Sequence, residues 1–308
     1  MRVPDQAAAS LEGAEARHLV AAAAARLRSA GSPSPRLDAE LLVAHAFDRD
    51  RTWLITHPRA TLEASAATQL SDWVERRASG EPIAYLRGFK EWFSLRLATD
   101  RRALIPRPET ELLTTAAIEE IAARLAMDGR TVDVWEVATG GGAVAVALAL
   151  RFRAALSLGR LRLTASDLSS EALELTAENL SSHGVARLVS LACGDLLEPA
   201  PGGSRFDLVI ANLPYVPRGE VDAGRGSLAW EPRQALDGGA DGLDVVRRFV
   251  ADLPARLAPG GVALMEIGAG QADAVRRLAA ELPMPIALTT VRDLAGIDRV
   301  IRVVRVAA

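Results

Sequence analysis

The sequence predicts an α/β protein: a mainly parallel sheet of seven strands covered by helices on both faces, preceded by a small helical domain and a connecting β-hairpin. Three observations carry this. From Arg130 onwards, apolar runs of strand length alternate with amphipathic stretches of helix length. Up to about Ser79 the periodicity is helical only, and from Gly80 to Pro108 short alternating runs are broken by prolines. The expected boundaries are 1–79 for the helical domain, 80–108 for the linker with its hairpin, and 109–308 for the α/β domain.

In the first part, Leu11–Ala30, Arg36–Phe47 and Thr61–Arg77 each carry an apolar stripe and a charged face, and Gly31-Ser32-Pro33 stops the first. Through Lys90 there are 12 basic and 11 acidic residues, so the surface has no strong sign. This domain reads as a substrate-recognition module or a packing unit. His18, His45 and His57 lie here without metal spacing. In the linker, alternation from Phe93 to Leu97 and again before Pro106 suggests the hairpin. Pro106 and Pro108 fix the chain around Arg107, which reads equally as a linker salt bridge or as part of a ligand mouth. Glu109 or Thr110 is expected to cap a helix over Glu111–Ala126.

The α/β part offers strands at Val132–Val137, Leu161–Ser166, Leu188–Ala192, Phe206–Ala211, Gly261–Ile267, Ile286–Thr290 and Arg299–Val306. Helices are expected at Ala143–Arg153, Ser170–His183, Asp241–Leu257 and Gln271–Leu282. Ligands of such a sheet bind beyond the carboxyl ends of its strands.

Composition narrows the function. With 308 residues, 49% hydrophobic and 24% charged, the chain is long enough for one large and one small domain with ample core. No stretch reads as a membrane span, since Val20–Ala25 is short and followed by Arg26 and Arg28. The N-terminus lacks the pattern of a secretory signal, so a cytoplasmic location is expected. Cys193 is the sole cysteine, which excludes an intramolecular disulfide; it reads as a small buried apolar side chain near a strand end. A net charge of −3 argues against broad electrostatic capture of nucleic acid.

The strand ends carry the chemistry. After the first comes Ala138-Thr139-Gly140-Gly141-Gly142, where glycines permit a tight turn and close ligand approach at a helix start. The second ends in Asp167, 25 residues beyond Gly142, a carboxylate suited to a ribose diol. The third ends in Asp195 and Leu196, a carboxylate and an apolar side chain suited to an adenine amine and ring face. The fourth ends in Asn212-Leu213-Pro214-Tyr215. A planar NH2 group is a poor nucleophile, and a site that alkylates it needs acceptors for its hydrogens and a flat surface. The Asn212 side-chain oxygen, the carbonyl of residue 213 and the Tyr215 ring answer that need, and Pro214 stiffens the turn. A nicotinamide-dependent oxidoreductase would want a third glycine where Ala145 stands and would leave the last motif unexplained. The four motifs in this order specify a Rossmann-like class I methyltransferase using S-adenosyl-L-methionine.

Over nearly its full length the chain resembles the release-factor glutamine methyltransferases, the HemK or PrmC family. The matching stretches include Arg36-Leu37-Asp38-Ala39-Glu40-Leu41-Leu42, Gly80-Glu81-Pro82, Ile105-Pro106-Arg107-Pro108-Glu109-Thr110-Glu111, Glu231-Pro232-Arg233-Gln234-Ala235-Leu236-Asp237-Gly238-Gly239, and Asp293-Leu294-Ala295-Gly296-Ile297-Asp298-Arg299. The resemblance implies methyl transfer to the glutamine of the Gly-Gly-Gln loop in peptide chain release factors. It places Ala138, Thr139, Gly140, Gly141, Gly142, Asp167, Asp195, Leu196 and Asn212 at the cofactor, and Asn212, Leu213, Pro214, Tyr215 and Arg107 at the substrate. It implies no metal. There are two departures. Ala138 stands where the family's loop opens with glycine, and Leu213 stands for a proline. Because the acceptor at 213 is a backbone carbonyl, Leu213→Pro is expected to be neutral or beneficial. Two alternatives stay open at this point: an adenine-N6 methyltransferase acting on nucleic acid, and a non-catalytic relative of the family.

Overall fold

In the computed structural model, residues 13–127, 129–224 and 226–306 are described. The first two positions of the helix expected from Leu11 lie outside the described residues. The chain divides into two units between Gly88 and Phe89, within the stretch read from sequence as a linker. Pro82 opens a short helix whose Leu86 joins the helical core, and Gly88, at φ 73°, ends it. The hairpin instead buries Trp92 and Leu97 in a core of the second unit.

The first unit contains α1 (Ala16–Ser29), α2 (Pro35–Ala46), α3 (Arg51–Thr56), α4 (Ala64–Ala78) and α5 (Ile83–Arg87). Leu19, Leu27, Leu42 and Leu70 form its apolar centre. Pro35 starts α2, and Asp50 caps α3 by accepting from the Trp53 N–H at 2.8 Å. At six and five residues, α3 and α5 are too short to show helical periodicity, so the sequence does not announce them. Asp38 is buried and paired with Arg77 at 2.8 Å. His45 stacks on Trp73 at 4.7 Å and His57 on Trp53 at 4.5 Å, so both act as ring partners.

The second unit opens with the hairpin of β1 (Phe89–Trp92) and β2 (Leu95–Ala98). Its two-residue turn is Phe93-Ser94, with both residues at positive φ, 49° and 59°. The hairpin was expected further along, with Phe93 inside a strand. Nothing in Phe-Ser resembles the Asn-Gly pairs that usually mark such turns, which explains the shift. Next come α6 (Thr110–Ala126), β3 (Val132–Val137), α7 (Ala143–Arg151), α8 (Arg153–Ser157), β4 (Leu161–Asp167), α9 (Ser170–Ser182), β5 (Val189–Cys193), β6 (Phe206–Ala211), α10 (Arg218–Asp222), α11 (Asp244–Arg256), β7 (Leu257–Glu266), α12 (Ala272–Ala280), β8 (Ile286–Arg292) and β9 (Asp298–Arg305). The seven-stranded sheet has the order β5-β4-β3-β6-β7-β9-β8. Only β9 runs against its neighbours.

Alternate side chains of each strand serve opposite faces. Val134, Leu208, Ile210 and Leu264 join Leu113, Ile121, Leu148 and Leu180 from α6, α7 and α9. Trp135, Val209, Ala211 and Met265 join Phe249 and Leu253 of α11 and Val275 of α12. Both faces are covered, so β6 is buried at every position, its one charged residue Asp207 included, and reads as an apolar run from Leu208 onwards. β7 begins at Leu257, four residues before the expected start, because a register shift carries Ala258–Gly261 past β6 and the Pro259-Gly260 pair reads as a turn. Cys193 ends β5 exposed, not buried, since β5 is the sheet edge. Among the described residues no helix is long and apolar enough to cross a membrane. β3 pairs with β4 on one side and β6 on the other. The strand order therefore reverses there, which opens a crevice at their carboxyl ends.

Candidate active site

That crevice holds a cavity of about 690 Å³ within the second unit, a size suited to a nucleotide-like ligand. Its floor is the loop after β3. Ala138 adopts φ 55° and Gly140 φ 56°. Gly140 donates its N–H to Asp167 Oδ2 at 2.8 Å, and Ser169 donates its own to Oδ1 at 2.9 Å. Helix α9 is capped by Ser169, not by Asp167. The aspartate is therefore not a helix cap, and its carboxylate lines the cavity. Burial pushes its pKa up, opposed by backbone N–H groups of Ser169, Gly140 and Leu168. Thr176 and Asn179 of α9 clamp the loop by donating to the carbonyls of Gly140 at 2.7 Å and Gly141 at 2.8 Å.

Thr139, Gly140, Gly141, Asp195, Leu196, Asn212, Leu213, Pro214 and Arg107 line the cavity with Ala138. Two expected residues do not. Gly142, at φ 79°, starts α7, and a β-carbon there would sit 2.7 Å from Thr176 Cγ2. Its glycine serves close packing of α7 on α9 and not ligand approach. Tyr215 also stands off the lining, with its hydroxyl donating to Glu266 Oε1 at 3.2 Å. Its hydroxyl edge is thus engaged by an interior carboxylate, and the ring is not among the groups lining the cavity. Burial and that carboxylate both push the phenol pKa up.

Asn212 donates from Nδ2 to Thr110 Oγ1 at 3.1 Å. Neither Thr110 nor Glu109 caps α6 with its side chain, as the sequence had suggested; the Thr110 hydroxyl meets Asn212 instead. Leu213 is 2% exposed and joins the core, so the part of it facing the cavity is backbone. The turn rests on the stretch after Glu231. Val216 donates its N–H to the Leu236 carbonyl at 3.0 Å, and its own carbonyl accepts the Gly238 N–H at 2.9 Å. A β-carbon at Gly238 would meet the Pro214 carbonyl oxygen at 2.7 Å. Arg107 satisfies both of its readings: it lines the cavity and pairs with buried Glu231 at 2.6 Å. Glu231 Oε2 also accepts the Ile105 N–H at 3.1 Å, and Arg101 lies over the Trp230 ring at 4.8 Å. Asp195 is ion-paired with Arg248.

Sequence reasoning passed over several cavity residues. Glu136 is 3% exposed, and burial pushes its carboxyl up to about 8, with Asp167 adding to the rise and Thr139 opposing it. An acid inside the apolar run Val134–Val137 was the available signal. Leu168, 54% exposed beside Asp167, presents an apolar face to the cavity. Arg248 carried no signal, because its ion pair with Asp195, 53 positions away, is set by the fold; Glu231, which holds Arg107 from outside the lining, stood in the sequence only within the Glu231–Gly239 match.

A sheet of this order, with a glycine loop after β3, carboxylates after β4 and β5 and an amide-bearing turn after β6, defines an α/β class I methyltransferase fold. Residues 18–88 match the family model described as the PrmC N-terminal domain, and residues 134–229 match that described as a methyltransferase domain. A release factor glutamine methyltransferase of Xylella fastidiosa is 39% identical over 276 residues, covering 90% of this chain and 95% of its own. One of Deinococcus radiodurans is 40% identical over 251 residues, covering 82% of this chain and 85% of its own. The chain belongs to the release factor glutamine methyltransferase family. Among solved structures, a release factor-specific protein-(glutamine-N5) methyltransferase from Alicyclobacillus acidocaldarius is 30% identical with a TM-score of 0.39, covering 66% of this chain and 94% of that one.

Proposed function

We propose that this protein transfers a methyl group from S-adenosyl-L-methionine to the side-chain nitrogen (N5) of the glutamine in the Gly-Gly-Gln loop of peptide chain release factors, in the cytoplasm. The observation that carries the reading is the Asn212 amide. With its N–H held by Thr110, its Oδ1 is free to accept a hydrogen bond at the cavity. The helical first unit, matched by the PrmC N-terminal domain model, serves as the substrate-recognition part.

The residues fit the cofactor. Glu136 Oε2 and Thr139 Oγ1 are buried polar atoms without a hydrogen-bond partner in the protein, and both residues line the cavity. A buried carboxyl there, held neutral below about pH 8 by its burial, would ionise on pairing with an ammonium group. Asp167 suits the ribose diol, and Leu168, Asp195 and Leu196 suit the adenine. When bound, S-adenosylmethionine supplies a methyl group on an electron-poor sulfonium.

The chain's own contribution is to position. Asn212 Oδ1 and the Leu213 carbonyl accept the two N–H bonds of the substrate amide, which raises electron density on nitrogen and fixes its lone pair. The nitrogen would gain the methyl group as the sulfur–methyl bond breaks, its electron pair staying on sulfur as a neutral thioether, and would release one proton to solvent. Rate gain comes from orientation and from acceptors fixed in advance, with no strong base. Pro106, Arg107 and Pro214 line the same cavity beside Asn212.

The test is incubation of the protein with labelled cofactor and purified release factor, beside a parallel reaction with ribosomal RNA. Label is expected on the Gly-Gly-Gln glutamine. Asn212→Ala is expected to collapse turnover while cofactor affinity, read by calorimetry, stays nearly unchanged. Label on RNA alone, or equal loss of turnover and affinity, contradicts the assignment.

A further inference from the structure

Two stretches that line the cavity are tied together by one buried carboxylate. From the stretch after β2, Ala103, Pro106 and Arg107 reach the lining; from the stretch after Trp230, Pro232, Gln234 and Ala235 do so. Glu231 stands between them, outside the lining, with its side chain fully buried. Its Oε1 accepts from Arg107 Nη2 at 2.6 Å, and its Oε2 accepts the Ile105 N–H at 3.1 Å. The backbone of Arg107 is held as well. Its carbonyl accepts the Trp92 indole N–H at 2.7 Å, and Pro106 and Pro108 flank it.

The result is a guanidinium with one edge engaged and donors left over. Nη2 serves Glu231, the remaining side-chain nitrogens make no hydrogen bond among the described residues, and the side chain is 27% exposed. A bare guanidinium would select an anion. Here a buried carboxylate on the inner edge balances the charge, so the group offered to the cavity matches an uncharged carbonyl oxygen. The Asn212 oxygen and the Leu213 carbonyl are both acceptors, and they suit the NH2 end of a substrate carboxamide. They do nothing for a carbonyl oxygen, which loses water on entry and needs a donor in its place. Arg107 lines the same cavity as both.

Resting on the assigned role of Asn212, we propose that Arg107 donates to an uncharged carbonyl oxygen of the Gly-Gly-Gln loop, and that Glu231 is a positioning residue that aims the guanidinium and balances its charge. The target carboxamide and the main chain of the loop present the same kind of acceptor, and the experiment below separates them. Methyl transfer draws electron density from the nitrogen, so neither oxygen gains negative charge as the reaction proceeds. The contact is therefore no stronger in the transition state than in the bound substrate, and it acts on binding, not on the chemical step.

The experiment compares Arg107→Met, Glu231→Gln and the double variant in the full chain, reading kcat, KM for release factor and cofactor Kd. Thermal melting confirms folding. Arg107→Met is expected to raise KM by about ten- to a hundredfold, the contribution of a hydrogen bond from a charged donor, with kcat and cofactor Kd each held within about threefold. Glu231→Gln has one acceptor oxygen for two converging donors and leaves the guanidinium unbalanced. It is expected to raise KM by about fivefold or more in the parent, yet by less than about twofold in the Arg107→Met background, because it acts through Arg107. The proposal is overturned if Arg107→Met keeps the parent's KM, if its loss falls on kcat instead, or if Glu231→Gln raises KM equally in both backgrounds, the mark of a purely structural role. Calorimetry with S-adenosylhomocysteine in place of the methyl donor then measures binding of unaltered release factor and of a form with the target glutamine changed to alanine. If Arg107→Met weakens both, the oxygen belongs to the main chain; if it weakens the unaltered form alone, the oxygen is that of the carboxamide; if it weakens neither, the proposal fails. A parent protein that leaves release factor unmethylated removes the proposed function itself, and this inference with it.

Discussion

Ala138 is the residue at which the energetic reasoning is most exposed. Its φ of 55° places a β-carbon in the left-handed region, where it crowds the neighbouring carbonyl, at a cost of ~1–2 kcal/mol. Substituting glycine removes that cost. Two terms oppose the gain. The unfolded glycine chain has more freedom to lose, ~0.4–1 kcal/mol. A half-buried methyl at the edge of the second core is also lost, worth about half of the ~0.8 kcal/mol of a fully buried one. Ala138→Gly is therefore expected to stabilise the protein slightly, by roughly 0.5 kcal/mol, and to leave cofactor affinity equal or improved because the residue lines the cavity. Ala138→Val is the sharper arm, because a β-branched side chain is a genuine outlier at this φ and should cost ~2 kcal/mol or more. Denaturant unfolding with an unchanged slope measures both variants, and calorimetry measures the cofactor. If Ala138→Gly loses more than about 1 kcal/mol while Ala138→Val loses no more than that, the residue is held by its methyl and the strain account fails.

Leu213→Pro, expected from sequence to be neutral or beneficial, looks different once Leu213 is found at 2% exposure in the core. It is expected to lose ~1–2 kcal/mol of stability through shortened packing, with turnover retained because the acceptor is the carbonyl; a collapse of kcat in folded protein would show that another geometry operates. Glu136 provides a pH signature. Its folded-state pKa, about 8, lies above the ordinary 4.5. Its stabilising contribution is thus complete at low pH and is lost as pH rises from about 4.5 to 8, by at most ~5 kcal/mol at ~1.4 kcal/mol per unit. Glu136→Gln should flatten the fall in melting temperature between pH 5 and pH 8 and weaken cofactor binding. Parallel curves for parent and variant would contradict the burial account.

The sheet was legible because its strands report on their own burial: Val132–Val137 and Phe206–Ala211 fall where mostly apolar runs put them, although Asp133, Glu136 and Asp207 interrupt those runs. The first pieces to escape were those whose signal is not periodic. A Phe93-Ser94 turn, the strand start at Leu257 ahead of Pro259-Gly260, and two helices of five and six residues have nothing repetitive to detect. In the cavity, motif residues that meet the ligand space through strand ends, such as Asp167 and Asn212, were readable from spacing. That Tyr215 and Gly142 stand off the cavity lining was not legible for one reason: a motif gives the order of residues along a turn but not the side to which each faces. Thr110 was visible as a helix-start residue, yet its partner lies 102 positions away.

The close fit of the Asp237–Asp244 stretch beneath the Asn212–Tyr215 turn bears on how loss-of-function surveys of this enzyme should be interpreted. A side chain at Gly238 or Gly242 would strike the main-chain oxygens of Pro214 or Tyr215, shifting the amide-gripping turn from below. Such variants would score as chemically dead in an activity screen although the altered position never meets either reactant. Retargeting of the enzyme to other glutamine-bearing loops is therefore best sought at the cavity rim, with this supporting layer kept intact.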